Sequence, residues 1–392
     1  MIILSAYTVS AGDTLFAVAR RFNMTVEDLR SLNGLKSDQL RVGQTLRVHS
    51  GSGNAPASPT PSRPAWPVAP GPSTSAPSAA NSVAAARQQY VLDARQEGDY
   101  QRYFLTVPLP NGGSVVAIMR DNLTNSAHML YPKGVMYAGQ SLLELDMAAI
   151  QSVGLTAQQA HALQYVSTHE GKFDAINSYD RGIFSYGFIQ FVGAQAHGAS
   201  LNRLLASMKA NAPSAFQRIF QRPGIDVENG SMTVLNDTGR KLTGDPAWLY
   251  VQETVRLYGP FIQAGFDPLL VREQLRMANE LYVQPSLNFR LDIPVGTTRI
   301  RVPRLRDLFS SEGALTAIFA LCINQGIGGM TTLVNNATGL VALRSGLTTL
   351  AALPRINERQ VLEQIAASST DQRVRNRVND VLNSTLSFTK SV

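Results

Sequence analysis

The chain has 392 residues, 44% of them apolar, which exceeds one ordinary core and excludes a disordered polymer; two or three folded domains are expected. The net charge of +7 favours anionic partners, and both nucleic acid and an anionic wall polymer satisfy it, so charge alone does not choose. The single cysteine, Cys322, excludes an intramolecular disulfide and reads as a buried structural thiol, because nothing near it in sequence would activate it. It sits in the apolar run Ala314–Ile323, which is too short to cross a bilayer, so no transmembrane segment is expected. Met1-Ile-Ile-Leu-Ser5 lacks the basic region and the apolar stretch of a secretory signal. The expected routes out of the cell are therefore lysis, a particle or non-classical export.

Ala6-Tyr-Thr-Val9 alternates as a short strand. Gly12-Asp-Thr14 is a turn whose Asp13 caps a helix over Leu15–Phe22, with Leu15, Val18, Ala19 and Phe22 on one face. Thr25 caps a second helix carrying Val26, Leu29 and Leu32, and Asn33-Gly34 ends it. Leu46-Arg-Val48 is a closing strand after the turn Val42-Gly-Gln44. These residues in this order, with Tyr7-Thr-Val9, Gly12-Asp-Thr-Leu15 and Leu40 among them, resemble the LysM family over residues 6 to 49. The resemblance implies a βααβ module at residues 1–50 that binds N-acetylglucosamine-containing glycans in a shallow groove. It assigns Gly12, Asp13, Thr14, Leu15, Asn33, Leu35 and Leu40 to that groove. The competing reading is that Asp13 only caps and Leu15 only packs.

Residues 51–84 are dominated by Gly, Ser, Pro and Ala and cannot bury enough apolar surface to offset the entropy of ordering, so they read as a flexible, semi-extended linker. Val83–Arg95 reads as a helix. Tyr103–Val107 and Val115–Met119 read as strands around a Pro-Asn-Gly-Gly turn, and Tyr131–Gln140 as a further strand. This small β-containing segment, residues 85–145, carries no legible function. Residues 146–392 are mostly helical, with Gly326-Ile-Gly328-Gly329 joining two helices and a last helical stretch in Arg373–Leu386.

One interruption carries the chemistry. Thr156-Ala-Gln-Gln159 is a capping box for a helix that runs to Glu170 and stops at Gly171. Leu163, Val166 and Glu170 share one face of it. A carboxyl group aligned with core residues at the negative pole of a helix is disfavoured as an anion, the condition a general acid requires. The next segment, through Phe191, reads as two strands about a turn at Asp180-Arg-Gly182. Ile183, Ser185, Gly187 and Ile189 are expected on one face, and Phe184, Tyr186, Phe188 and Gln190 on the other. This puts a second carboxylate, Asp180, across a cleft from Glu170, with Asp174 as its competitor. Glycoside hydrolysis needs such a pair, one group to protonate the leaving oxygen and one to activate water or attack. Ser185 is a candidate to hold the water, Gly187 to let a sugar approach the backbone, and Tyr179, Tyr186 and Phe188 to offer flat faces. Asp180 beside Gly182 is also an ordinary turn residue. The histidines His161 and His169 lack a zinc-protease spacing, and no Cys/His ligand set exists, so no metal or cofactor is expected. The arginines of Arg299–Arg306 and Arg373–Arg377 read as a solvated face. No nucleic-acid motif accompanies them, so nucleic acid is not an expected partner.

Glu170-Gly171, then Asp180, then Ser185-Tyr-Gly187 resembles the lysozyme superfamily, phage-type lysozymes in particular, although the interval to Asp180 is one residue longer than in those enzymes. Ser185-Tyr-Gly-Phe-Ile-Gln190 is also similar to the Gly-Leu-Met-Gln region of lytic transglycosylases, which puts Gln190 at the substrate. The resemblance is clear over residues 163 to 191 only. It implies an α+β multidomain chain whose mainly helical lysozyme-like domain holds a small β-hairpin. The implied reaction is cleavage of β-1,4 bonds between N-acetylmuramic acid and N-acetylglucosamine in peptidoglycan, with inversion if Asp180 acts as base across about 6.5–9.5 Å. The alternatives are a lytic transglycosylase, a chitosanase-like glycosidase, and a non-catalytic wall-binding component of a phage tail or contractile injection particle, whose proteins would then be partners. Each would act at the bacterial cell wall.

Overall fold

The computed structural model describes residues 4–9, 26–35, 44–49, 79–123, 129–141 and 147–390. The chain divides into two compact units, Met1–Thr74 and Ser75–Val392. The helix expected at Leu15–Phe22 and the linker expected at 51–84, as far as residue 78, lie outside the described residues.

In the N-terminal unit, β1 (Leu4–Thr8) pairs antiparallel with β2 (Thr45–His49), Tyr7 opposite Leu46. Alternation along β2 decides its inner face: Leu46 and Val48 are fully buried and Arg47 is exposed. The helix Val26–Asn33 packs on β2 and buries Leu29 completely. Gly34, at φ +61°, ends that helix as the Asn-Gly signal predicts.

The second unit opens with the helix Ala79–Arg87, which stops well short of the expected Arg95. Tertiary contacts set the stop. The buried Arg87 guanidinium donates to the Pro223 carbonyl at 2.9 Å, to Asp237 at 3.0 Å and to the Leu235 carbonyl. The residues that follow find a complete antiparallel partner: β3 (Val91–Glu97) pairs with β4 (Tyr100–Pro108), and β4 with β5 (Ser114–Arg120). Sheet pairing and burial outweigh local helix preference here.

A second sheet is built from four two-residue strands, β6 (Met136–Tyr137), β7 (Ile176–Asn177), β8 (Ser185–Tyr186) and β9 (Phe191–Val192), neighbours in that order and all antiparallel. The expected strand at Tyr131–Gln140 is thus only β6, and it joins the sheet of the candidate site. The expected long hairpin is broken up. Ile183 and Gln190 adopt positive φ (+61° and +56°), as does Gly187 (+83°), so no continuous strand runs from 183 to 190 and the expected alternation fails. Ile183 through Ile189 are all buried.

The helix Ala157–Glu170 precedes this sheet. Its capping box is formed: Gln159 N donates to Thr156 Oγ1 at 3.2 Å, and Thr156 N to Gln159 Oε1 at 3.1 Å. Helices Asp245–Glu253, Tyr258–Ala264 and Pro268–Ala278 supply the core on which the sheet rests. Phe184 meets Trp248 (5.6 Å between ring centroids), Tyr258 (5.2 Å) and Phe261 (4.8 Å) there. The longest helix, Glu312–Arg344, has the length and apolarity of a membrane span, but it breaks at Gly326 (φ 68°, ψ 168°), the expected joint between two helices. Residues 313–322 are buried, so its first half is core. Burial pushes the Cys322 thiol above its usual range, in keeping with an inert structural role.

Asp174 locks the helix exit to the sheet. It is completely buried and accepts hydrogen bonds from Tyr137 Oη (2.9 Å), Gln140 N (2.9 Å), Ser141 N (3.0 Å) and Ser141 Oγ (2.8 Å). Removing it strands several buried donors at once. Asp174→Ala should lower the stability of the second unit by about 3 kcal/mol, read as a shift in its urea unfolding midpoint.

Candidate active site

Residues directly opposite one another in an antiparallel sheet point to the same face. The register of β6–β9 therefore sorts the sheet into two rows. Tyr137, Ile176, Tyr186 and Phe191 form one row, and all four are buried in the core. Met136, Asn177, Ser185 and Val192 form the other, where Met136 is 59% exposed and Asn177 and Val192 are half-buried. Ser185 lies on this outer face but is only 4% exposed, because the Asp180–Gly182 turn folds over it. The Gly182 α-carbon faces both Ser185 Oγ and Asp180 Oδ1. Among the described residues, nothing hydrogen-bonds Ser185 Oγ.

Asp180 is held at both oxygens. Gly182 N donates to Oδ1 at 2.8 Å and Asn177 Nδ2 to Oδ2 at 3.1 Å. Asn177 is itself oriented, because its Oδ1 accepts from Tyr179 N at 3.2 Å. The Tyr179 carbonyl accepts from Leu130 N (2.8 Å) and Tyr131 N (3.1 Å), so the 129–134 loop leans on the Asp180 turn. The Tyr131 phenol is raised above its ordinary value by burial first, and then by the carboxylates of Asp245 and Asp180. Tyr131 and Asp245 thus belong to the surroundings of Asp180, which the sequence did not signal.

Glu170 closes its helix, with Val166 and Leu163 buried one and two turns behind it; the Glu170 side chain lies outside the described residues. Gly171 adopts φ 133°, its N–H returns to the Ser167 carbonyl at 2.9 Å, and a Cβ there would strike Ala175. Only glycine fits. Lys172 N then donates to the Ala138 carbonyl at 3.0 Å, which brings the helix end to the β6 side of the sheet. Gln190 reaches the same corner. Its Nε2 donates to the Gly187 carbonyl at 2.9 Å, near the Gly171 α-carbon, and its buried Oε1 has no partner among the described residues.

Several expected roles do not survive this geometry. Tyr186 is fully buried on the core face; its hydroxyl accepts from Gln274 Nε2 at 3.1 Å, and burial drives its pKa well up. It presents no face to a sugar. Gly187 is buried too, and the space beside it is filled by the Gln274 carboxamide, whose Nε2 also donates to the Phe173 carbonyl at 2.9 Å. Its missing side chain makes room for a core glutamine rather than for substrate. Asp174, the competitor for the second carboxylate, is a structural lock with no route to solvent. In the N-terminal unit the Asn33 carboxamide is engaged by backbone: Nδ2 donates to the Leu29 (2.8 Å) and Arg47 (2.9 Å) carbonyls, and Oδ1 accepts from Arg47 N at 2.6 Å. It ties helix to strand. Leu35 is half-buried beside it, and Tyr179 is half-buried at the Asp180 turn. Gly12, Asp13, Thr14, Leu15 and Leu40 lie outside the described residues. Sequence reasoning missed Asn177 and Gln274. Asn177 had a signal, an Asn three residues before a turn aspartate; Gln274, distant in sequence, had none.

Residues 7–49 match the family described as LysM domain. The chain is 50% identical over 42 residues to the probable peptidoglycan endopeptidase LytE of Bacillus subtilis (strain 168), covering 11% of this chain and 13% of that protein. It is 49% identical over 53 residues to the probable endopeptidase p60 of Listeria seeligeri, covering 14% and 10%. It is 41% identical over 46 residues to the membrane-bound lytic murein transglycosylase D of Escherichia coli (strain K12), covering 12% and 10%. The chain thus spans only a small fraction of these relatives, the part that carries the LysM module. No solved structure matches the chain. A LysM module at the N-terminus, of a kind found in cell-wall proteins, is established by these matches; the second unit stands on its own geometry.

Gly187→Ala should destabilise the second unit by about 3 kcal/mol, combining a positive φ with overpacking against Gln274. Thermal unfolding measures it. A neutral result would mean that the pocket beside Gly187 is open, as a sugar-binding role requires.

Proposed function

We propose that this protein is a peptidoglycan glycan-strand hydrolase held on its substrate by the LysM module. Glu170 protonates the leaving glycosidic oxygen. Asp180 activates the attacking water, and Ser185 holds that water. The observation that carries this reading is one turn on the outer face of the sheet, where Asp180, fixed at both oxygens, sits beside Ser185, whose hydroxyl has no hydrogen-bond partner among the described residues; the glycine-capped helix that ends in Glu170 leads into the same sheet. The division of labour follows from chemistry. A carboxylate gripped by Asn177 and Gly182 is oriented to accept a proton from water, and a carboxyl at the negative pole of a helix favours holding one.

Gln190 supports the reading independently. Its carboxamide lies by Gly171 and its buried Oε1 has no partner among the described residues, a place that a sugar hydroxyl or acetamido N–H would fill. Tyr179 flanks the same turn and replaces Tyr186 as the flat face. The LysM module raises the local concentration of an insoluble glycan around the second unit, which allows a weak cleft to act efficiently. The basic balance of the chain, +7, assists adsorption to an anionic wall.

The test is release of soluble fragments from purified peptidoglycan. Wild type should release them, and Glu170→Gln should release at least about a thousandfold less while sedimenting with the wall as wild type does. Asp180→Asn should lose about a hundredfold or more. Equal release by Glu170→Gln and wild type would remove Glu170 from the mechanism. No release by any form, with sedimentation intact, would make the protein a binding component.

A further inference from the structure

A cavity of about 570 Å³ opens between the β3–β4 sheet, the Ala79–Arg87 helix and the Glu253–Arg256 segment, within the size range of small-ligand sites. Its charges are mixed and only partly cancelled. Asp237 is neutralised by the buried Arg87 at 3.0 Å. Lys133 and Arg256 form no ion pair among the described residues, and Glu253 stands exposed between α-helix and cavity. The Tyr103 hydroxyl donates to Asp121 Oδ2 at 2.9 Å and lies 3.0 Å from the Gln101 carboxamide, a neutral polar group of the wall. Leu92 and Ala94 add apolar wall. Two cations, one anion, a neutral carboxamide and small apolar patches match a short peptide that carries carboxylates, one amine and methyl side chains.

The position of the cavity matters as much as its lining. Lys133 is on the 129–134 loop, the same loop whose Leu130 and Tyr131 amides donate to the Tyr179 carbonyl next to Asp180. Cavity and candidate cleft therefore share one wall. A peptide attached to a muramic acid in the cleft would run past that loop, with three extended residues covering about 10 Å. We propose that this cavity binds the stem peptide of the glycan substrate, so that peptide-bearing strands are preferred over bare ones. The glycan half of this inference rests on the hydrolase reading above; the peptide-binding half does not.

The probe is the sugar-free tetrapeptide L-Ala–γ-D-Glu–L-Lys–D-Ala, titrated into the full chain by calorimetry. Saturable binding is expected, about tenfold weaker in the double variant Lys133→Ala/Arg256→Ala. Lys133→Glu, a surface change with little reason to disturb folding, should weaken it as much. In parallel, release is compared on peptidoglycan and on peptidoglycan stripped of peptides by an amidase, and the intact wall should be cut several-fold faster by wild type only. Peptide binding without release from either wall would leave the cavity assignment standing and sink the hydrolase reading. Absent peptide binding, or binding unchanged in both variants, would overturn the cavity assignment, and equal release from the two walls would overturn the preference.

Discussion

A carboxylate taken out of water must find donors, and the donors that Asp174 finds organise the second unit. It lies four positions after Glu170 and six before Asp180. Its oxygens gather Tyr137 of β6, the backbone of Gln140 and the hydroxyl of Ser141 into one buried knot. Gly139 and Gly265 approach it so closely that neither could carry a side chain without displacing it. The segment leaving the helix at Gly171 is thereby pinned to β6, and through β6 to the sheet whose outer row carries Asn177 and Ser185. Every feature of the candidate site is measured from that fixed point.

The sheet explains why alternation along residues 183–190 mis-sorts their faces. In a continuous strand, alternation would put Ser185 and Gly187 on one face. The positive φ at Ile183, Gly187 and Gln190 cuts the strand to two residues, and cross-strand register, rather than local alternation, then assigns the faces. Ser185 falls in the outer row opposite Asn177, whereas Tyr186 falls in the core row opposite Ile176. What fills the space by Gly187 is Gln274, a side chain nearly ninety positions downstream, and no local pattern reports it. By contrast, the capping box at Thr156, the glycine stop at Gly171, the strands at Tyr103–Val107 and Val115–Met119, and the joint at Gly326 were legible because each depends on residues within one or two turns of chain. The helix expected through Arg95 failed for the opposite reason: Arg87 and β4 act on it from far away.

The two units divide the work by chemistry. In the LysM module the visible core is small, with Val9, Leu29, Leu46 and Val48 fully or nearly fully buried and Asn33 stitching helix to strand. Such a module offers a surface for glycan rather than a reacting group. The second unit holds the buried carboxylates, the oriented Asp180 and the unpartnered Gln190 acceptor that chemistry on a sugar would use. In the proposed function binding and cutting fall to separate structures, so the affinity of one need not be built into the other.

In the proposed reaction Glu170 and Asp180 act as an acid and base pair on a glycosidic bond, with water as the attacking group. Mass spectrometry of the ends of the fragments that the full chain releases from purified peptidoglycan tests it most directly. The account predicts reducing-end muramic acid, formed when water adds to the anomeric carbon. Fragments ending in 1,6-anhydromuramic acid would contradict it, because the sugar's own hydroxyl would then have attacked and Asp180 would have no water to activate.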